Sequence, residues 1–97
     1  LVRHGAVSEA TARAMAQGAL AHSRADWSVA ITGIAGPSGG STEKPVGTVC
    51  FAWAARDAGC EAHTRYFDGD RTAIREQSVW HALNGLLDRL AQNPVLA

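Results

Sequence analysis

The stretch from Ala30 to Val49, A-I-T-G-I-A-G-P-S-G-G-S-T-E-K-P-V-G-T-V, constrains this chain more than any other. It holds Gly33, Gly36, Gly39, Gly40 and Gly47, half of the 10 glycines, together with Pro37 and Pro45 of the 3 prolines. No regular helix or strand survives that density, because glycine raises the entropy lost on ordering and proline removes a backbone donor. Both flanks nevertheless read as strands. Trp27-Ser-Val-Ala-Ile-Thr32 leads in and Thr48-Val-Cys-Phe-Ala-Trp53 leads out, so a long glycine-rich loop hangs between two core strands. Long loops in compact domains are uncommon, and one anchored at both ends points to ligand binding.

With 97 residues, 46% of them hydrophobic, the chain suits a single domain spanning residues 1–97. Nine Lys and Arg balance nine Asp and Glu, which leaves no electrostatic footprint for nucleic acid or an anionic membrane. No segment approaches the run of about 18 apolar residues that a spanning helix needs, and the start lacks a secretory pattern. The expected location is the cytoplasm. Cys50 and Cys60 are too few for a disulfide framework and have no zinc-ligand spacing. The opening Leu1-Val-Arg-His-Gly5 lacks an initiator methionine, so the expectation is a portion of a longer domain.

Ser8 is placed to cap a helix from Glu9 to about His22, with Ala12, Met15, Ala16, Ala19 and Leu20 on one stripe. Trp27 to Thr32 is apolar on both faces and reads as a central strand. In the following strand Val49, Phe51 and Trp53 alternate with Cys50, Ala52 and Ala54, large residues against small. Turn signals over Arg56-Asp-Ala-Gly-Cys60 then lead to a more exposed strand from Glu61 to Asp68, giving an antiparallel hairpin that sets Cys50 near Phe67 and leaves Cys60 at the turn. Asp70 caps a long helix from Arg71 to about Gln92, whose expected core stripe is Val79, Leu83, Leu86, Leu87 and Leu90 with Trp80 at its margin. Ile74, Ser78, His81 and Gly85 fall on the opposite side, where a subunit interface is one candidate. Mixed elements with two-sided strands imply an α/β sandwich with helices on both faces.

Several motifs fail on inspection. Gly33-Ile-Ala-Gly36-Pro-Ser-Gly39 lacks the dinucleotide spacing, and a strand follows where a helix is required. Ser41-Thr-Glu-Lys44 matches S-x-x-K, but Gly39, Gly40 and Pro45 forbid the helical turn that brings amine to hydroxyl. His4, His22, His63 and His81 share no metal-ligand spacing and read as surface or packing residues. Asp68-Gly-Asp70-Arg71 with Arg75 differs in kind, because two guanidiniums fall in the first turns of a helix, where free amides already favour anions.

Gly5-Ala-Val-Ser8, Ala30-Ile-Thr-Gly-Ile-Ala-Gly-Pro37 with Gly39-Gly40, Lys44-Pro-Val-Gly-Thr-Val49, and Phe67-Asp-Gly-Asp-Arg71 with Ile74-Arg75 together resemble the CinA C-terminal domain family, the nicotinamide-nucleotide amidohydrolases. The resemblance implies a three-layer α/β/α sandwich with a mixed sheet, here the C-terminal portion of the domain without its N-terminal part. It implies a homo-oligomer that hydrolyses the carboxamide of nicotinamide mononucleotide to the acid and ammonia, with neither cofactor nor metal. By the same resemblance Thr32, Gly33, Ala35 and Gly36 line the substrate, with Arg71 or Arg75 near its phosphate or carboxamide. Family members carry an E-S-C-T-G-G-like motif for the nucleophilic serine and a Y-S-N segment followed by a lysine base. Neither occurs in this chain, so no catalytic residue is assigned to it. Two functions stand side by side: part of an amidohydrolase, or a non-catalytic ligand-binding or oligomerisation module that keeps the glycine loop.

Overall fold

A computed structural model describes residues 7–33 and 45–92. Helix α1 (Glu9–Ala21) precedes strands β1 (Trp27–Gly33), β2 (Thr48–Ala55) and β3 (Gly59–Tyr66), and helix α2 (Arg71–Ala91) follows. Both helices start where a side chain can satisfy a free first-turn amide. The Ser8 hydroxyl accepts from the Thr11 amide at 3.0 Å, and Asp70 Oδ1 accepts from that of Ala73 at 2.8 Å. The last turn of α1 has no basic residue of its own. Arg56, just past β2, supplies the cation from across the fold, its guanidinium donating to the carbonyls of Leu20 at 2.9 Å, Ser23 at 2.9 Å and Ala25 at 2.6 Å.

The strands form one sheet in the order β1-β2-β3, and both pairings are antiparallel. The parallel pairing of a mixed sheet is therefore not found among these three strands. All eight residues of β2 are buried, because α1 covers one face and α2 the other. The alternation along β2 explains how. Cys50, Ala52 and Ala54 are small enough for Ala12, Ala16 and Leu20 of α1 to lie close against the sheet. Val49, Phe51 and Trp53 fill the other side with Ile74 and Ala82 of α2. Three layers, helix on sheet on helix, result.

Two sequence expectations are corrected here. Strand β1 lies at an edge of the described sheet rather than at its centre, and Ile31 is exposed. The register sets Cys50 opposite Thr64, not Phe67, since the chain reverses between Ala55 and Gly59. Cys60 pairs with Ala54, four positions along the ladder from Cys50, and both thiols are free. At the start of β2, Gly47 adopts φ +99° with the Phe67 backbone directly across it, where any Cβ would collide.

The larger correction concerns α2. Most of its leucine-rich stripe does not face the sheet: Val79 is 45% exposed, Leu83 50%, Leu87 61% and Trp80 67%, while Leu86 packs against the core and Leu90 is half-buried. The buried side is Ile74, Ser78 and Ala82, flanked by His81 and Gly85. The reason is Trp53. Its indole stands up from β2 and donates from Nε1 to the Ala82 carbonyl at 3.0 Å, and a Cβ on Gly85 would lie 2.5 Å from its ring. Only small residues allow the helix backbone that near, so periodicity marks an apolar stripe on the wrong side.

Gly18→Ala and Gly85→Ala should therefore have opposite signs in urea denaturation. A Cβ at Gly18 meets nothing within 4 Å, and the substitution should stabilise by about 0.5–1 kcal/mol through helix propensity. At Gly85 the same propensity gain is outweighed by overpacking against the indole, which costs about 1–3 kcal/mol. Ile74→Ala should lose about 2–5 kcal/mol, whereas Leu87→Gln, on the exposed stripe, should change stability by no more than about 0.5 kcal/mol.

Candidate functional site

The stem of the glycine loop is where the sequence places a ligand. Thr32 and Gly33 end β1 opposite Cys50 and Val49. Directly opposed residues share a face of the sheet. Cys50 packs in the core under α1 and Val49 in the core under α2, so the Thr32 side chain lies on the α1 side and Gly33 opens toward α2. On the far side of the loop Thr48 fixes the return, its amide and hydroxyl both donating to the Pro45 carbonyl at 3.0 and 2.6 Å. Ala35 and Gly36 lie outside the described residues.

A cleft of about 190 Å³ forms where this stem meets α2, lined by Ile31, Gly33, Val49, Arg75, Ser78 and Val79 among others. The cleft separates the two arginines that the sequence left equivalent. Arg75, in the second turn of α2, sits beside Gly33; Arg71, in the first turn, is exposed and does not line it. Arg75 also borders a wider groove of about 800 Å³ with Phe67, Gln77, Trp80 and His81. A guanidinium shared by two openings on an apolar wall suits the anionic end of a small ligand.

Acyl transfer also requires a nucleophile activated by a base. Each serine among the described residues is instead engaged locally. Ser8 caps α1 and donates to the Thr11 hydroxyl at 2.9 Å, and Ser23 accepts from the Ala25 amide at 3.2 Å. Ser28 donates to the Ala16 carbonyl at 2.6 Å and Ser78 to that of Ile74 at 2.7 Å. None of these bonds joins a serine to a base. Ser41 and Lys44 lie outside the described residues.

One polar cluster has no counterpart in the sequence reading. His63 on β3 and His81 on α2 meet Nε2 to Nε2 at 2.6 Å. Phe51 and Trp53 pack against both rings, and Phe67 lies edge-on to that of His81. Burial, then the charges of Arg89 and Arg65, hold His63 below the ordinary imidazole range; burial, then His63 and the same two arginines, lower His81. Beside them Arg89 bonds Glu61 at 3.2 Å and lies 4.0 Å over the Trp53 ring. Eighteen positions separate the two histidines, so only the packing of α2 on the sheet brings them together. Among the described residues no group of three or more His, Cys, Asp or Glu side chains could hold a metal ion.

Comparison with known proteins agrees with the geometry of the fold. Residues 1–90 match the family described as the CinA C-terminal domain. The chain is 50% identical over 93 residues to the nicotinamide-nucleotide amidohydrolase PncC of Escherichia coli, covering 96% of this chain and 56% of that protein. It is 50% identical over 95 residues to a CinA-like protein of Akkermansia muciniphila, covering 98% of this chain and 23% of that one. The crystal structure of competence/damage inducible protein CihA from Agrobacterium tumefaciens superposes with a TM-score of 0.85 at 53% identity, over 91% of this chain and 54% of that chain. A CinA superfamily protein from Klebsiella pneumoniae gives a TM-score of 0.87 at 42% identity, over 95% and 57%. This chain thus spans little more than half the length of PncC and of these solved relatives. On sequence and on fold together, the chain belongs to the CinA C-terminal domain family.

Proposed function

We propose that this chain is part of an amidohydrolase that hydrolyses the carboxamide of nicotinamide mononucleotide to nicotinic acid mononucleotide and ammonia, in cytoplasmic pyridine-nucleotide recycling. The observation that carries this reading is the 50% identity over 93 residues to an enzyme named for that activity. The cleft supports it. Arg75 beside Gly33 provides a cation for the phosphate at the loop stem, and the family resemblance adds Ala35 and Gly36 to the proposed substrate-binding residues. Thr32 and Arg71 flank this cleft without lining it. The chain's part in the reaction is binding and orientation of the anionic substrate; attack on the amide carbon falls to groups outside it.

Two measurements test the reading. Ammonia release from nicotinamide mononucleotide by the 97-residue chain should not exceed background, and turnover abolished by Ser41→Ala would overturn that division of roles. Calorimetric titration should show the mononucleotide binding more tightly than its dephosphorylated nucleoside. A charge-assisted hydrogen bond contributes about 1.5–3 kcal/mol, so Arg75→Ala should erase roughly a tenfold advantage while Arg71→Ala keeps it. Equal affinity for nucleotide and nucleoside in the wild type would remove the phosphate site.

The alternative, an oligomerisation module, is favoured by one observation: Val79, Trp80, Leu83 and Leu87 form an exposed apolar face. Sedimentation equilibrium distinguishes it, since a dimer dissociated by Leu83→Gln with Leu87→Gln would place assembly on that face.

A further inference from the structure

His63 and His81 approach from two elements that share no local sequence, and their Nε2 atoms lie 2.6 Å apart. The hydrogen bond between them requires one Nε2 to carry its proton and the other to accept it. In a metal site the Nε2 of a neutral imidazole binds an ion at about 2.0–2.1 Å. Two such nitrogens at right angles on one ion are then about 2.9 Å apart, and at a tetrahedral angle about 3.3 Å. The pair needs to open by only about 0.3 Å for the right-angled arrangement but by roughly twice that for the tetrahedral one. Tetragonal nitrogen coordination is the preference of Cu(II) and Ni(II), and Cu(II) also heads the affinity order among the divalent ions.

We propose that His63 and His81 form a two-imidazole chelate for a late, tetragonally coordinated divalent ion, Cu(II) before Ni(II), which bridges β3 and α2. Water completes the coordination. The rings bind through Nε2 and carry their protons on Nδ1, so a tautomer shift of the bonded pair suffices and no net proton is released. Their surroundings suit ligation, since burial and the neighbouring arginines keep both imidazoles neutral. The same two arginines that lower the imidazoles also oppose an incoming cation, and their surroundings offset part of that charge. Arg89 is already paired with Glu61 at 3.2 Å, Arg65 lies over the Phe67 ring at 5.9 Å, and Glu9 adds a negative charge to the neighbourhood of His63. Access is open as well, because His81 borders the wide groove beside α2.

The test is titration of the 97-residue chain with copper(II) chloride, and separately nickel(II) chloride, in a non-chelating buffer at about pH 7.5. The Trp53 ring lies 4.8 Å from that of His63, so binding should quench tryptophan emission with one ion per chain and raise the thermal midpoint. His63→Gln and His81→Gln should each weaken binding by at least the roughly tenfold that outer-shell changes alone cause. His4→Gln and His22→Gln should leave it intact. Electron paramagnetic resonance of the copper complex reports the ligands without any substitution, and two coupled imidazole nitrogens are expected. A spectrum with one imidazole, affinity unchanged in both His63→Gln and His81→Gln, or no saturable binding of either ion would each overturn the proposal.

Discussion

The hydrogen bond from the Trp53 indole to the Ala82 carbonyl, with the ring lying against Gly85, decides how α2 sits on the sheet. A buried indole N–H without a partner would cost about 1–3 kcal/mol, and the helix backbone provides that partner only at close range. Close range in turn excludes every large side chain from the contact. Ile74, Ser78, Ala82 and Gly85 consequently turn inward, and Leu83 and Leu87 turn out. The same docking brings His81 to His63 and Arg75 to Gly33. Both candidate sites depend on how one aromatic side chain is satisfied.

Features governed by neighbours in the chain could be read without coordinates. Ser8 and Asp70 cap their helices as their hydroxyl and carboxylate chemistry requires, and the large-small alternation from Val49 to Ala54 matches the two covered faces of β2. Features set by distant residues could not. Nothing local tells Leu83 that the surface it would face is already occupied by Trp53, and the burial of a helix face is a property of the opposing layer. The two arginines illustrate the same limit. Arg71 and Arg75 are alike as sequence signals, and only the line along which α2 crosses β1 puts Arg75 into the cleft.

The family relationship and the geometry bear on different halves of the chemistry. Identity to PncC is the ground for the proposed reaction, while the proposed recognition rests on a cleft lined by Arg75 and Gly33. Those tasks tolerate physical separation. Anion binding needs a cation and open amides, which a strand end and a helix start can provide; covalent attack needs a nucleophile held by a base, and Ser28 and Ser78 donate to backbone carbonyls instead.

The Arg56 side chain gives the fold a property that neither core implies. Its guanidinium reaches the carbonyls of Leu20, Ser23 and Ala25, and its own amide donates to Asp26 at 2.9 Å. The polar connection between α1 and β1 is thereby fastened to the tip of the β2-β3 hairpin. Exposed linkers of that kind ordinarily open independently of the structure they join. Here the end of the helix, its linker and the hairpin tip share one set of bonds, so they should open as one cooperative unit, and amide hydrogens in all three should exchange with a common free energy.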